Sequence, residues 1–171
     1  MKPASLDCLT ERHLLLFGTI IQLFARYELL IQEIIATVTK ADFGNVILLM
    51  RGLDFSGKRQ TLIDVLRHQT LPLDRYDEIN RYLMVPHTLT PLRNDIAHSG
   101  WMPGPSADGI QPNWLLRVPP SIKPIHGDGL VEREADKVTY NIAELAEIVE
   151  VLTANYKSFV NYLRQIRLVG T

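Results

Sequence analysis

Cysteine is nearly absent from this chain. Cys8 stands alone among 171 residues, which excludes an internal disulfide framework and fits a reducing compartment. No sign of charge dominates either: 18 Lys and Arg face 19 Asp and Glu, for a formal net charge of −1. That balance argues against a protein that coats nucleic acid by bulk electrostatics, though it leaves room for a local basic cleft. His13, His68, His87 and His126 fall into no HExxH or Cys/His spacing, so neither a metal nor a cofactor is expected. An uninterrupted apolar run is missing as well. Gln22, Arg26, Glu28, Gln32 and Glu33 break the stretch from Leu14 to Ile35, and charges within a bilayer cost several kcal/mol each. No basic start followed by a small-residue cleavage site precedes it. The expectation is a cytoplasmic protein with no membrane partner.

What is present is ordinary globular material: 46% hydrophobic and 22% charged residues, enough for one domain over 1–171 with a core of its own. Apolar periodicity predicts a long first helix from about Thr10 to Lys40. Gln22, Arg26, Glu33, Thr37 and Lys40 form its polar stripe; Ile21, Phe24, Ile31 and Ile35 run opposite. Glu28 sits among the latter. A carboxylate there either reaches water at a helix flank or subunit seam, or has a buried cationic partner, for which Arg93 is the candidate.

Gly52 to Lys58 spells GxxxxGK, the outline of a phosphate loop. Arg59 stands where such a loop needs Ser or Thr for magnesium, and Leu53, Asp54 and Phe55 are poor material for amides that must wrap a phosphate. The better reading is a helix ending near Gly52, a short turn and a helix begun by Ser56. Leu73 to Met84 reads as another helix, interrupted by Pro86. Thr90 then offers an N-cap, Pro91 a first helical residue and Gly100 a stop, giving a short helix to about Ser99. From Trp101 to Thr139 most of the prolines gather, and "NWLLRV" (113–118) and "DKVTY" (136–140) look like two strands around the turn "HGDG" (126–129). Asn141 and Glu144 open the last helix in a capping-box arrangement. The sum is an all-α bundle of about five helices with a small β-hairpin or irregular insertion (about 101–139) before the last.

The short helix carries the chemistry. Asn94 and His98 are four apart, roughly 40° around the helix, and share a face. Arg93 is about 140° from His98 and ~7.5 Å along, so only its length brings the guanidinium toward the imidazole. A second copy of the helix across a dimer axis completes such a pair more easily. The plain alternative is a helix end: His98 interacting with the C-terminal dipole, Arg93 binding a carboxylate such as Glu28 or Asp95. Trp101, Trp114, Arg117 and Lys123 in the insertion either stack on and contact single-stranded RNA, or, for the tryptophans, anchor the flap on the core.

"LRNDIAHSGW" resembles the RxxxxH signature of the HEPN superfamily (higher eukaryotes and prokaryotes nucleotide-binding domains), in which a polar residue such as Asn94 commonly follows the arginine. The order of helices over most of the chain is similar too. The resemblance implies an up-and-down bundle that usually dimerises, and in active members cuts RNA without metal. Carried over, Arg93 would bind the scissile phosphate and stabilise its transition-state charge. His98 would move a proton, and Asn94 would orient His98 or donate to phosphate. Toxins paired with a nucleotidyltransferase antitoxin resemble RxxxxHxY; here Gly100 replaces the tyrosine, so that form of control is not supported. The resulting expectation is a homodimeric endoribonuclease acting on RNA, a toxin or antiphage defence effector with an antitoxin or regulatory protein as a further partner. The alternative is a non-catalytic RNA- or nucleotide-binding module or protein-interaction scaffold of the same fold.

Overall fold

A computed structural model describes residues 8–69, 73–113 and 139–169. Among these are six helices, α1 (Glu11–Thr39), α2 (Phe43–Met50), α3 (Phe55–His68), α4 (Leu73–Thr88), α5 (Thr90–His98) and α6 (Ile142–Gln165), with strands β1 (Gly100–Pro103) and β2 (Ile110–Asn113) before the last. The chain is thus an all-α bundle bearing a two-stranded insertion. α1 packs against α2, α3, α5 and α6. Thr10 caps it in a capping box with His13, and Lys40 ends it in the left-handed region at φ 56°. By length and composition α1 could cross a membrane, yet Ile20, Tyr27, Ile31 and Ile34 on it are wholly buried in the bundle. They meet Leu62 and Leu66 of α3, Ile79 and Leu83 of α4, and Leu145, Leu152, Phe159 and Leu163 of α6 in one continuous core.

Several boundaries differ from the sequence reading. Asp54, not Ser56, caps α3, its carboxylate accepting from the Gly57 amide at 2.7 Å. α4 does not stop before Pro86 but carries it in its last turn. A proline there has no N–H for the carbonyl four residues back. That carbonyl, of Tyr82, instead accepts from Asn155 Nδ2 of α6 at 2.9 Å. The same Nδ2 donates to the Tyr27 hydroxyl at 2.6 Å, and that hydroxyl donates to the Leu152 carbonyl at 3.3 Å. Leu89 rather than Thr90 precedes α5, with no side-chain cap, and Ser99 in extended conformation closes it, so Gly100 begins a strand instead of ending the helix. Asn141 and Glu144 form the capping box expected of α6.

The described part of the insertion holds a small antiparallel hairpin, as expected of the region, at positions the sequence did not single out. β1 pairs antiparallel with β2, Gly100 opposite Asn113 and Pro103 opposite Ile110. The turn between them closes tightly: Gly104 N–H donates to the Gly109 carbonyl at 2.7 Å, and a Cβ on Gly104 would come within 2.9 Å of Gly109 backbone. Of the two expected strands, 113–118 lies almost wholly, and 136–140 mostly, outside the described residues; Tyr140 forms one antiparallel bridge with Ile110.

Glu28 has a cationic partner, but it is Lys58 and not Arg93. The lysine of GxxxxGK, buried on α3, is thereby committed to the α1 carboxylate. Breaking one side of a buried pair leaves the other charge poorly solvated, at a cost of about 3–5 kcal/mol when burial is complete. With the Glu28 side chain 20% exposed, Lys58→Met is expected to destabilise the fold by about 2–3 kcal/mol in urea unfolding. Combining it with Glu28→Leu should recover most of that loss, and a double-mutant cycle measures the coupling.

Burial pushes the Tyr27 phenol up to about 12, against the opposing effect of the Asn155 amide. Below pH 10 the folded and unfolded chains both keep this proton. Between about 10 and 12 only the unfolded chain loses it, so the stability is complete below pH 10 and falls as pH rises. At about 1.4 kcal/mol per pH unit the loss approaches 3 kcal/mol. Unfolding titrations above pH 10 should show Tyr27→Phe removing this share of the alkaline decline.

Candidate functional site

The apolar spacing of α5 decides which residues face out. Leu92 and Asp95 are buried, Arg93 and Asn94 half-buried, and His98 exposed at the last residue of the helix. The helix period puts Thr90, Asn94 and His98 along one side, with Pro91 at its edge, opposite buried Leu92. That side borders a groove of about 670 Å³, lined also by Ser56 of α3 and by Met84, His87 and Thr88 at the end of α4.

Arg93 and Asn94 are brought together: the guanidinium Nη1 donates to Asn94 Oδ1 at 3.2 Å. His98 is placed one turn beyond Asn94 with no hydrogen bond to either residue within the chain. The two ion pairs among the described residues are Glu28–Lys58 and Glu78–Arg81, so Arg93 is in neither. Glu28 therefore supports α1 and α3 rather than the motif. Asp95 faces inward at 2% exposure, and after burial its charge is the second cause holding the half-buried Tyr140 phenol above its ordinary range. Among the described residues, no group of three or more His, Cys, Asp or Glu side chains is arranged to hold a metal ion.

Trp101 belongs to the core. At 7% exposure its ring lies 4.6 Å from that of Phe17 and 6.2 Å from that of Tyr140, leaving no face for a base to stack on. The same hairpin is tied to the start of α1 by His13, whose Nδ1 accepts from the Thr10 amide and whose Nε2 donates to the Asp108 carbonyl at 3.2 Å. Arg117, with Trp114 and Lys123, lies outside the described residues.

Sequence reasoning missed His87 and Ser56. Ending α4 at Met84 put His87 in a supposed loop, whereas one more helical turn carries it to the groove, 3.4 Å from Ser56 Oγ through Nδ1. No local signal marked it, because Pro86 reads as the end of α4 and Ser56 lies on another helix. Arg59 was dismissed with the phosphate loop. Its guanidinium bonds Asn80 Oδ1 at 2.5 Å and touches Met84 of the groove.

Because Trp101 is packed on Phe17 and Tyr140, Trp101→Ala is expected to lower stability by about 3–5 kcal/mol in urea unfolding. At temperatures where the variant is folded, its affinity for a short single-stranded RNA should match that of the original chain. Compared with known protein families, curated proteins and solved structures, the chain matches none, so the reading of the site rests on its own geometry.

Proposed function

We propose that the chain is a metal-independent endoribonuclease that works as a homodimer in the cytoplasm, in the manner of HEPN toxins and antiphage effectors. One observation carries the reading: Arg93 bonds Asn94, which shares a helix face with exposed His98, and is in neither ion pair found among the described residues. A guanidinium bonded only to a neutral amide keeps donors for the oxygens of a phosphodiester. In the reaction the 2′-hydroxyl attacks the adjacent phosphorus and the bond to the 5′-oxygen breaks, leaving a 2′,3′-cyclic phosphate and a 5′-hydroxyl. His98 accepts the proton of the attacking hydroxyl, and the partner's His98 gives one to the leaving oxygen. Arg93 stabilises the charge that grows on the phosphoryl oxygens. Two copies are part of the proposal because one chain supplies a single motif imidazole and acid and base are both needed.

A second reading, a non-catalytic scaffold of the same fold, draws on the lack of contact between His98 and Arg93 and on the formal charge of −1. Under it Arg93 and His98 bind a protein surface. The two readings separate in one assay. Incubated with RNA in EDTA, the purified chain should yield cyclic phosphate ends. Arg93→Ala and His98→Ala should each lower the rate at least a hundredfold while leaving the melting temperature within a few degrees. If neither variant alters cleavage, Arg93 and His98 are not its catalytic groups and this ribonuclease reading falls; if no cleavage occurs and both variants lower dimer stability, the scaffold stands.

A further inference from the structure

The groove beside α5 is lined by residues of which the cleavage site uses only Asn94. Its lining residues, Ser56, Met84, His87, Thr88, Thr90, Pro91 and Asn94, include no acid. The Thr88 and Thr90 hydroxyls are turned to the carbonyls of Val85 and Pro86 at 2.9 and 3.4 Å, which leaves Ser56, His87 and Asn94 as its donors. Ser56 Oγ and His87 Nδ1 share one hydrogen bond. If the hydroxyl donates, the imidazole keeps an Nε2 proton for a ligand; if the imidazole donates, the hydroxyl proton is released instead. Either way one donor remains. Asn94 has its oxygen occupied by Arg93, so its amide protons are what it can offer.

Two cations flank these donors. Arg93 bonds the Asn94 side chain from outside the lining, and Arg59 touches Met84 while its buried Nε has no hydrogen-bond partner. Neither arginine is in an ion pair among the described residues. Asp54, the carboxylate nearest to Ser56 in sequence, is spent on the Gly57 amide. Neutral donors with cations behind them and no acid in the lining favour an anion with several acceptor oxygens.

We infer that this groove binds a phosphate group through Ser56, His87 and Asn94, with Arg59 beside Met84 supplying the charge. Under the ribonuclease reading, on which the identity of the ligand rests, it is a phosphate of the RNA strand next to the one cleaved. α5 rises roughly 12 Å from Thr90 to His98, so the groove and the imidazole lie along one helix face for a strand to follow. The groove then acts as a positioning site: it holds the strand in register while Arg93 and His98 act on the bond beyond it.

The test uses the full chain and three probes: inorganic phosphate, an uncleavable 2′-O-methyl oligoribonucleotide, and a cleavable one. Amide and imidazole resonances of Ser56 and His87 should shift with the first two. Saturation at lower concentration by the oligonucleotide identifies a strand phosphate; saturation by inorganic phosphate alone identifies a small anion and overturns the strand assignment. His87→Gln and Ser56→Ala should each weaken oligonucleotide binding about tenfold. In cleavage they should raise KM with little change in kcat, a split that general loss of fold does not produce. Ser56→Ala keeps the test open if His87→Gln folds poorly. His98→Ala should still bind both probes at the groove. Binding without any cleavage would overturn the ribonuclease and keep the phosphate site. Cleavage with KM unaltered in both groove variants, or no shift at Ser56 and His87, would overturn the phosphate site and leave the ribonuclease.

Discussion

The side-chain amide of Asn155 holds three helices in one place. It donates to the Tyr27 hydroxyl of α1 and to the Tyr82 carbonyl of α4 from its own position on α6. The second bond is required by Pro86, which has no N–H to give that carbonyl, and an orphaned carbonyl near the core costs about 1–3 kcal/mol. Satisfying it from α6 lets α4 continue through its proline to Thr88. The helix would otherwise end a turn early, and His87 would not stand beside Ser56. The geometry of the groove is thus set from the opposite side of the bundle, through a proline and an asparagine that never touch a ligand.

This also explains what the sequence could and could not announce. α1 and α6 were legible because long apolar periodicity and polar caps act locally: Thr10 with His13 and Asn141 with Glu144 need nothing beyond four residues of chain. The end of α4 was not legible, because the donor that rescues it is 73 residues away. The start of the described hairpin was hidden for a related reason. Gly100 after a short helix reads as a stop, yet Ser99 takes the extended conformation and hands the chain directly to β1, where Trp101 is drawn in by Phe17 from the far end of the sequence.

The site divides along the same line. Asn94 and His98 on one face follow from the helical repeat, and Arg93 bonding its neighbour is a local event. The partner of Glu28 is not local. Arg93 and Lys58 are both cations of suitable length, and only the packing of α3 on α1 selects the lysine. That selection has a consequence for the motif. Were Arg93 held by Glu28, its charge would be neutralised within the core; with Lys58 in that role, the arginine keeps its donors for the outer face of α5.

Overall neutrality says little about such a face, because the acids are assigned elsewhere. Asp42, Asp54 and Glu144 serve helix N-termini, Glu28 serves Lys58, and Glu78 serves Arg81. A carboxylate at a helix start is stabilised by the aligned peptide dipoles, so these placements are favourable in their own right. Arg59 and Arg93 are in neither of the ion pairs found among the described residues, and each bonds a residue that lines the groove, Met84 and Asn94 respectively. Screening confines a charge to about 10 Å at 0.1 M salt, so the acids at the other helix starts cancel little of that local field. A chain with a formal charge of −1 can still carry a groove whose lining holds no acid, and it is that local composition, not the overall balance, that a phosphate would meet.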